Sequence, residues 1–224
     1  MRDIMAKNKL TSLADFKNLL KDDMVIMVGG FMTDGTPEHL INVMVESGIK
    51  NLTIINNDGG YPERGIGKLI ANRQVKTLIT SHVGLNPTVA KMMNSGELEL
   101  KLVPQGTLIE QIRAKGSGLG GVLTKTGLGT LVEQGKQVVT IDGENFLLEK
   151  PLGADLAIVE ATYADTFGNG VNIGTTRNFN PVMALAADKV VMGSFKVVEC
   201  GEVDPSYVTI PGVLVDYLVK IEEV

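Results

Sequence analysis

The sequence predicts an α/β fold: an open, mostly parallel sheet flanked by helices, carrying a glycine-rich loop and a β-hairpin. Three observations lead there. The apolar run VIMV (25–28) reads as a buried strand, and other short runs such as LTII (52–55) read as further strands. Segments with helical spacing alternate with these runs, which is the rhythm of a parallel sheet covered by helices on both faces. The 224 residues, 44% hydrophobic and 21% charged, suit one large domain over 1–224, with no repeat, low-complexity tract or linker to divide it.

Each element has its own signal. Ser12 can cap a helix with Leu13, Phe16, Leu19 and Leu20 on one face. VIMV follows and runs into a glycine turn. Thr36 as N-cap and Pro37 at the first helical position would open a helix carrying Leu40, Ile41, Met44 and Val45, which Gly48 ends. LTII is the second strand, KTLIT (76–80) the third and ELELKLV (97–103) the fourth. Asn86-Pro87 opens a short helix ending near Gly96, and TLIEQIRA (107–114) forms another. Residues 116–130 hold six glycines in fifteen positions, so an irregular, tightly folded loop is expected. QVVTIDGENFLLEK (137–150) reads as a hairpin turning at Asp142-Gly143, after which ADLAIVEA (154–161) and KVVMG (189–193) resume the strands.

Charge and composition exclude several classes. Lys plus Arg is 21 against 26 Asp plus Glu, a net charge of −5, and the basic excess of a nucleic-acid binder is missing. No stretch approaches the ~18 apolar residues of a membrane span. The opening MRDIMAKNKLTSL has no apolar core of signal-peptide length. Cys200 is the only cysteine, so no internal disulfide can form, which suits the reducing cytoplasm. His39 and His82 are too few for a histidine-based metal site, and no metal is expected.

Two familiar motifs fail on context. Gly116, Gly118 and Gly121 match G-x-G-x-x-G, but a dinucleotide fingerprint must follow a strand and open a helix, and here a helix precedes it. GIGK (65–68) has the tail of a phosphate loop, yet Pro62 stands where the leading glycine belongs. Residues 29–35 are better placed, between a strand and a helix N-terminus. Either the glycines there relieve strain in a tight turn, or the backbone N–H groups and the helix dipole cradle an anion. Asp34 would repel a phosphate unless it turns outward or caps an amide.

Residues 22–37, with Gly29-Gly30-Phe31 and Gly35-x-Pro37, closely resemble the signature of family I coenzyme A transferases. The resemblance continues through NND (56–58), GIGKLI (65–70), SHVGLNP (81–87), 95–114, GLGGVLTKTGLGT (118–130) and RNFNPVMALAAD (177–188). It is with the α subunits of two-subunit acetate (butyrate)–acetoacetate enzymes. Asp23, Lys115 and Lys125 depart from the usual pattern, and the two lysines would add cations near the glycine loop.

The resemblance implies a ping-pong transfer of CoA from a short-chain acyl-CoA (acetyl-, butyryl- or acetoacetyl-CoA) to a free carboxylic acid. It implies a nucleophilic glutamate in a Ser-Glu-Asn-Gly motif of a separate β subunit, and assembly as α2β2 or larger. This chain lacks that motif: its Glu144-Asn145 is followed by Phe146 beside a hairpin turn and reads as surface. CoA is then substrate, and no permanently bound cofactor is implied. By the same resemblance Asn56 and Gln105 are the expected catalytic amides, donors to the oxyanion of each tetrahedral intermediate, and both follow strands. Gly29, Gly30, Phe31, Met32, Thr33, Asp34 and Gly35 are the expected CoA contact, or else shape the subunit interface. His82 could line the cleft, and Arg177 could meet a carboxylate or anchor the following helix. Two other readings keep a related fold: a 3-oxoadipate or other 3-oxoacid acceptor, and a non-catalytic ligand sensor.

Overall fold

The computed structural model describes residues 8–222; the segment 1–7, where most of the signal-peptide reading falls, lies outside the described residues. The elements in chain order are β1 (Leu10–Thr11), α1 (Leu13–Lys17), β2 (Val25–Val28), α2 (Glu38–Ser47), β3 (Leu52–Ile55) and α3 (Gly67–Ala71). Next come β4 (Val75–Thr80), α4 (Pro87–Asn94), β5 (Glu99–Leu102), α5 (Gln105–Gly116), β6 (Val122–Thr124), β7 (Gln137–Ile141) and β8 (Glu144–Glu149). The chain finishes with β9 (Ala154–Asp165), β10 (Gly170–Val171), α6 (Asn180–Ala184), β11 (Ala187–Val198) and β12 (Tyr217–Lys220).

Among the described residues one sheet runs β1-β12-β11-β9-β2-β3-β4-β5, with β10 added alongside β9. All its pairs are parallel except β10–β9. The chain steps outward from β2 through β3 and β4 to β5. It then returns to lay β9 on the other flank of β2 and continues outward the other way. The order therefore reverses between β2 and β9, and open α/β sheets bind ligands beyond the carboxyl ends of the strands at such a switch point.

The apolar runs are explained by this layout. Along β2, Ile26 and Val28 face one core while Met27 faces the other, as a two-residue period demands. The first core joins them to Phe16, Leu40, Ile41, Met44, Leu69, Ile70 and Val89 from α1 to α4. The second joins Met27, Ile55, Ala157 and Val159 to Leu108 and Ile112 of α5 and Met183 of α6. Helices thus cover both faces. A separate antiparallel sheet, β6-β8-β7, carries the expected hairpin. Its turn, Asp142 and Gly143, has φ of 50° and 81°, the left-handed pair that a two-residue turn of right-handed strands requires.

Several boundaries differ from the sequence reading. Thr36 does not cap α2; the N-cap is Pro37, with no side-chain bond, because the Thr36 side chain packs against Gly30, where a Cβ would overlap its hydroxyl. Helix α5 continues to Gly116, so the irregular loop begins one residue later. Neither α3 nor the short strands β1, β6, β10 and β12 carries a periodic signal long enough to read. Lys125, within the glycine-rich segment, pairs with Glu144 at 2.7 Å and lies over the Phe146 ring. No helix among the described residues is long and apolar enough to cross a membrane.

Candidate functional site

The expected residues gather at the carboxyl end of the sheet. After β2 the chain folds into a two-residue turn: Phe31 N donates to Asp34 O at 3.1 Å and Asp34 N to Phe31 O at 2.9 Å. The central residues Met32 and Thr33 have φ of 48° and 67° without being glycine, which costs roughly 1–2 kcal/mol each. Phe31 and Met32 remain exposed at its tip. Most of the loop's N–H groups are spent inside the protein: Gly29 on Ile158 O, Phe31 and Asp34 on each other's carbonyls, Met32 on the Asp58 carboxylate. An anion cradle built from the full run of backbone amides is therefore not what the loop offers. It presents side chains instead.

Asp34 turns away to accept a hydrogen bond from Thr175, and its carbonyl accepts from Asn178 Nδ2 at 3.0 Å. Asn180, fully buried at the switch point, locks the same loop: its Nδ2 donates to Gly35 O and its Oδ1 accepts from Glu160 N, both at 2.9 Å. Gly29 must be glycine because a Cβ there would overlap Asn180 Oδ1.

Gln105 opens α5 and is exposed, with its Nε2 donating to Asn57 Oδ1 at 2.7 Å. It lines a shallow depression with Phe31, Gly106, Ile109, Asn178 and Phe179. A second depression, lined by Met32, Asp34, Gly174 and Thr175, shares Phe31 and Asn178 with the first. The Phe31–Asp34 turn thus stands as a ridge in an open ledge. Asn56 is placed differently. It is 4% exposed, its Nδ2 donates to Val28 O at 2.6 Å and its Oδ1 accepts from Asp58 N, so it clamps β2 to β3 below the ledge. The amide that meets Gln105 belongs to Asn57, which sequence reasoning passed over. The signal was available, since three polar residues in a row at the end of an apolar strand are conspicuous.

His82 is exposed beside Gly84 and makes no side-chain hydrogen bond among the described residues. Arg177 lies apart from Gln105, lining a groove with Tyr163, Ile173 and Tyr207. A larger depression of about 620 Å³, around Lys115, Asp155 and Asp188, sits at the opposite end of the sheet, where strands begin. It shares no lining residue with the depressions beside Gln105, Asp34 or Arg177.

Glu160 of β9 is half-buried and its carboxyl is raised from 4.5 to about 7, chiefly because burial strips its solvent and secondarily through the charges of Asp34 and Glu38. Glu38 is itself paired with Lys68 at 2.7 Å. A carboxyl raised on folding binds more protons in the native than in the unfolded chain, so stability falls as pH climbs from 4.5 to about 7. The loss is about 3 kcal/mol. Glu160→Gln should therefore raise the thermal midpoint at pH 8 and flatten its fall between pH 5 and 8. An unchanged pH slope in that variant would remove Glu160 as the cause.

Comparison with known proteins shows the family. The family model for coenzyme A transferase covers residues 11–221. The chain is 51% identical over 213 residues to the acetoacetyl-CoA:acetate/butyrate CoA transferase alpha subunit of Clostridium acetobutylicum, covering 95% of this chain and 98% of that one. It is 49% identical over 217 residues to the acetate CoA-transferase subunit alpha of Escherichia coli K12, covering 97% and 99%. Its fold superposes with a TM-score of 0.86 on an acyl-CoA transferase (YdiF) of Escherichia coli O157:H7, solved as a thioester complex with CoA. That match is 24% identical and spans 97% of this chain but 48% of the longer one. The chain, with its open parallel sheet and its ledge at the switch point, belongs to the coenzyme A transferase family.

Proposed function

We propose that this chain is the α subunit of a heteromeric CoA-transferase moving CoA between a short-chain acyl-CoA and a carboxylic acid such as acetate, butyrate or acetoacetate. The observation that carries the proposal is the open half-site: an exposed Gln105 amide on a ledge walled by Phe31, in a chain with no Ser-Glu-Asn-Gly glutamate. A β subunit supplies that glutamate and closes the ledge, in an α2β2 or larger assembly, with the α chain as a single domain. The names of the two relatives support acetate-type acids and favour neither the 3-oxoadipate acceptor nor the sensor.

The partner's carboxylate attacks the thioester carbon, CoA thiolate leaves, and an acyl-glutamyl anhydride forms. The thiolate then attacks the glutamyl carbonyl and expels the first acid, leaving a glutamyl-CoA thioester that the second acid resolves by the reverse path. Each addition puts charge on a carbonyl oxygen. Among the described residues the second N–H of Gln105, beyond the one held by Asn57, has no partner, and a neutral donor stabilises that oxygen without pairing permanently with the glutamate. Asn56 supports the site from beneath, with its remaining N–H as a further donor. Phe31 and Met32, at the tip of residues 29–35, contact the pantetheine or the acyl chain through apolar surface. The complex works in the cytoplasm, where the exposed Cys200 stays a thiol.

The test is transfer from acetoacetyl-CoA to acetate by the purified chain, alone and after mixing with the companion subunit. Transfer is expected only from the mixture. Appreciable turnover by the single chain refutes the half-site.

A further inference from the structure

Asp58 is a carboxylate only 2% exposed that forms no ion pair among the described residues. Burying a charge without a counter-ion is costly, and such a group needs an account. Its Oδ1 accepts from Gly60 N at 2.9 Å, and its Oδ2 accepts from Met32 N at 2.7 Å and Asn57 Nδ2 at 2.9 Å. An ionised carboxylate can only accept, so only the Nδ2 edge of Asn57 can face it. The other edge, Oδ1, is thereby turned to Gln105 Nε2 at 2.7 Å, with the Ser81 hydroxyl at 3.3 Å. A flipped Asn57 would set oxygen against oxygen at Asp58 and N–H against N–H at Gln105. The buried charge therefore selects one orientation of Asn57, and through it one orientation of Gln105. Its bond to Met32 N also steadies the left-handed turn whose Phe31 walls the same depression.

We propose that Asp58 is a positioning residue for CoA transfer, acting through Asn57 to hold the Gln105 amide with a donor toward the reacting oxygen. The proposal rests on the reading of Gln105 as that donor.

The experiment is a double-mutant cycle on the assembled complex, measuring kcat and KM for the acyl-CoA in wild type, Asp58→Asn, Gln105→Ala and the double variant. The Asp58→Asn substitution keeps the size of the side chain but lets Asn57 flip. Asp58→Asn should lower kcat about tenfold in the wild-type background and less than about twofold in the Gln105→Ala background, because coupled neighbours are not additive. An equal loss in both backgrounds overturns the relay and leaves Asp58 a purely structural residue. Asn57→Ala, which spares the bonds from Asp58 to Met32 and Gly60, must show the same pattern and decides the matter if Asp58→Asn fails to assemble. Wild-type turnover in Gln105→Ala alone defeats the donor reading and the relay with it. An impaired Gln105→Ala beside an unimpaired Asp58→Asn defeats the relay only.

Discussion

Gln105→Ala should lower the turnover number of the assembled enzyme by about 10- to 1,000-fold, the loss that follows removal of one preorganised donor to a tetrahedral oxyanion. KM for the acyl-CoA should change little, because the donor acts on charge that develops only in the transition state. Assembly should survive. The side chain is exposed, and it donates to Asn57, which keeps Ser81 and Asp58 as partners. Gln105→Glu is expected to be at least as damaging, since a carboxylate there would face Asn57 Oδ1 and repel both the oxyanion and the partner's glutamate. Steady-state kinetics of the complex, with a thermal melt of each variant, check the prediction. Wild-type turnover in Gln105→Ala removes this residue from the mechanism.

Much of the fold was legible because its signals are local. Ile26, Met27 and Val28 of VIMV and Leu52, Ile54 and Ile55 of LTII are all buried, and only a strand with a helix layer on each face buries neighbouring apolar side chains that point both ways. Asn86-Pro87 opens α4 as read, with the Asn86 side chain accepting from Thr88 N at 3.1 Å. Asp142-Gly143 marked the hairpin because few other residue pairs tolerate two left-handed positions in succession.

What was illegible depends on partners far along the chain. Gly29 looks like a residue freeing a turn or clearing a phosphate, yet its small size is dictated by Asn180, some 150 positions later. Thr36 has the composition of an N-cap but is claimed by Gly30 across the turn, so Pro37 takes its place. In the site itself, Gln105 was reached through the family resemblance, and its position at the start of α5 fits the expectation of a strand-end amide. Asn56 and Asn57 are indistinguishable by composition. Alternation along the strand end sends the first toward the β2 carbonyl and the second toward Gln105, and only the three-dimensional register separates them. Asp58 gave no sign of its burial, because an aspartate before two glycines reads as a solvated turn.

The division of labour between two chains is the central claim, and its most direct test is the position of the covalent intermediate. The assembled enzyme, incubated with acetoacetyl-CoA and no acceptor acid, should accumulate the glutamyl-CoA thioester, because a ping-pong cycle halts there without its second substrate. Borohydride reduces that thioester to an alcohol, and peptide mass spectrometry then locates the altered glutamate. The effect is all-or-none for each chain. The reduced residue should lie in the companion subunit, within its Ser-Glu-Asn-Gly segment, with every glutamate of this chain, Glu144 and Glu160 included, left intact. A reduced glutamate in this chain would contradict the account outright.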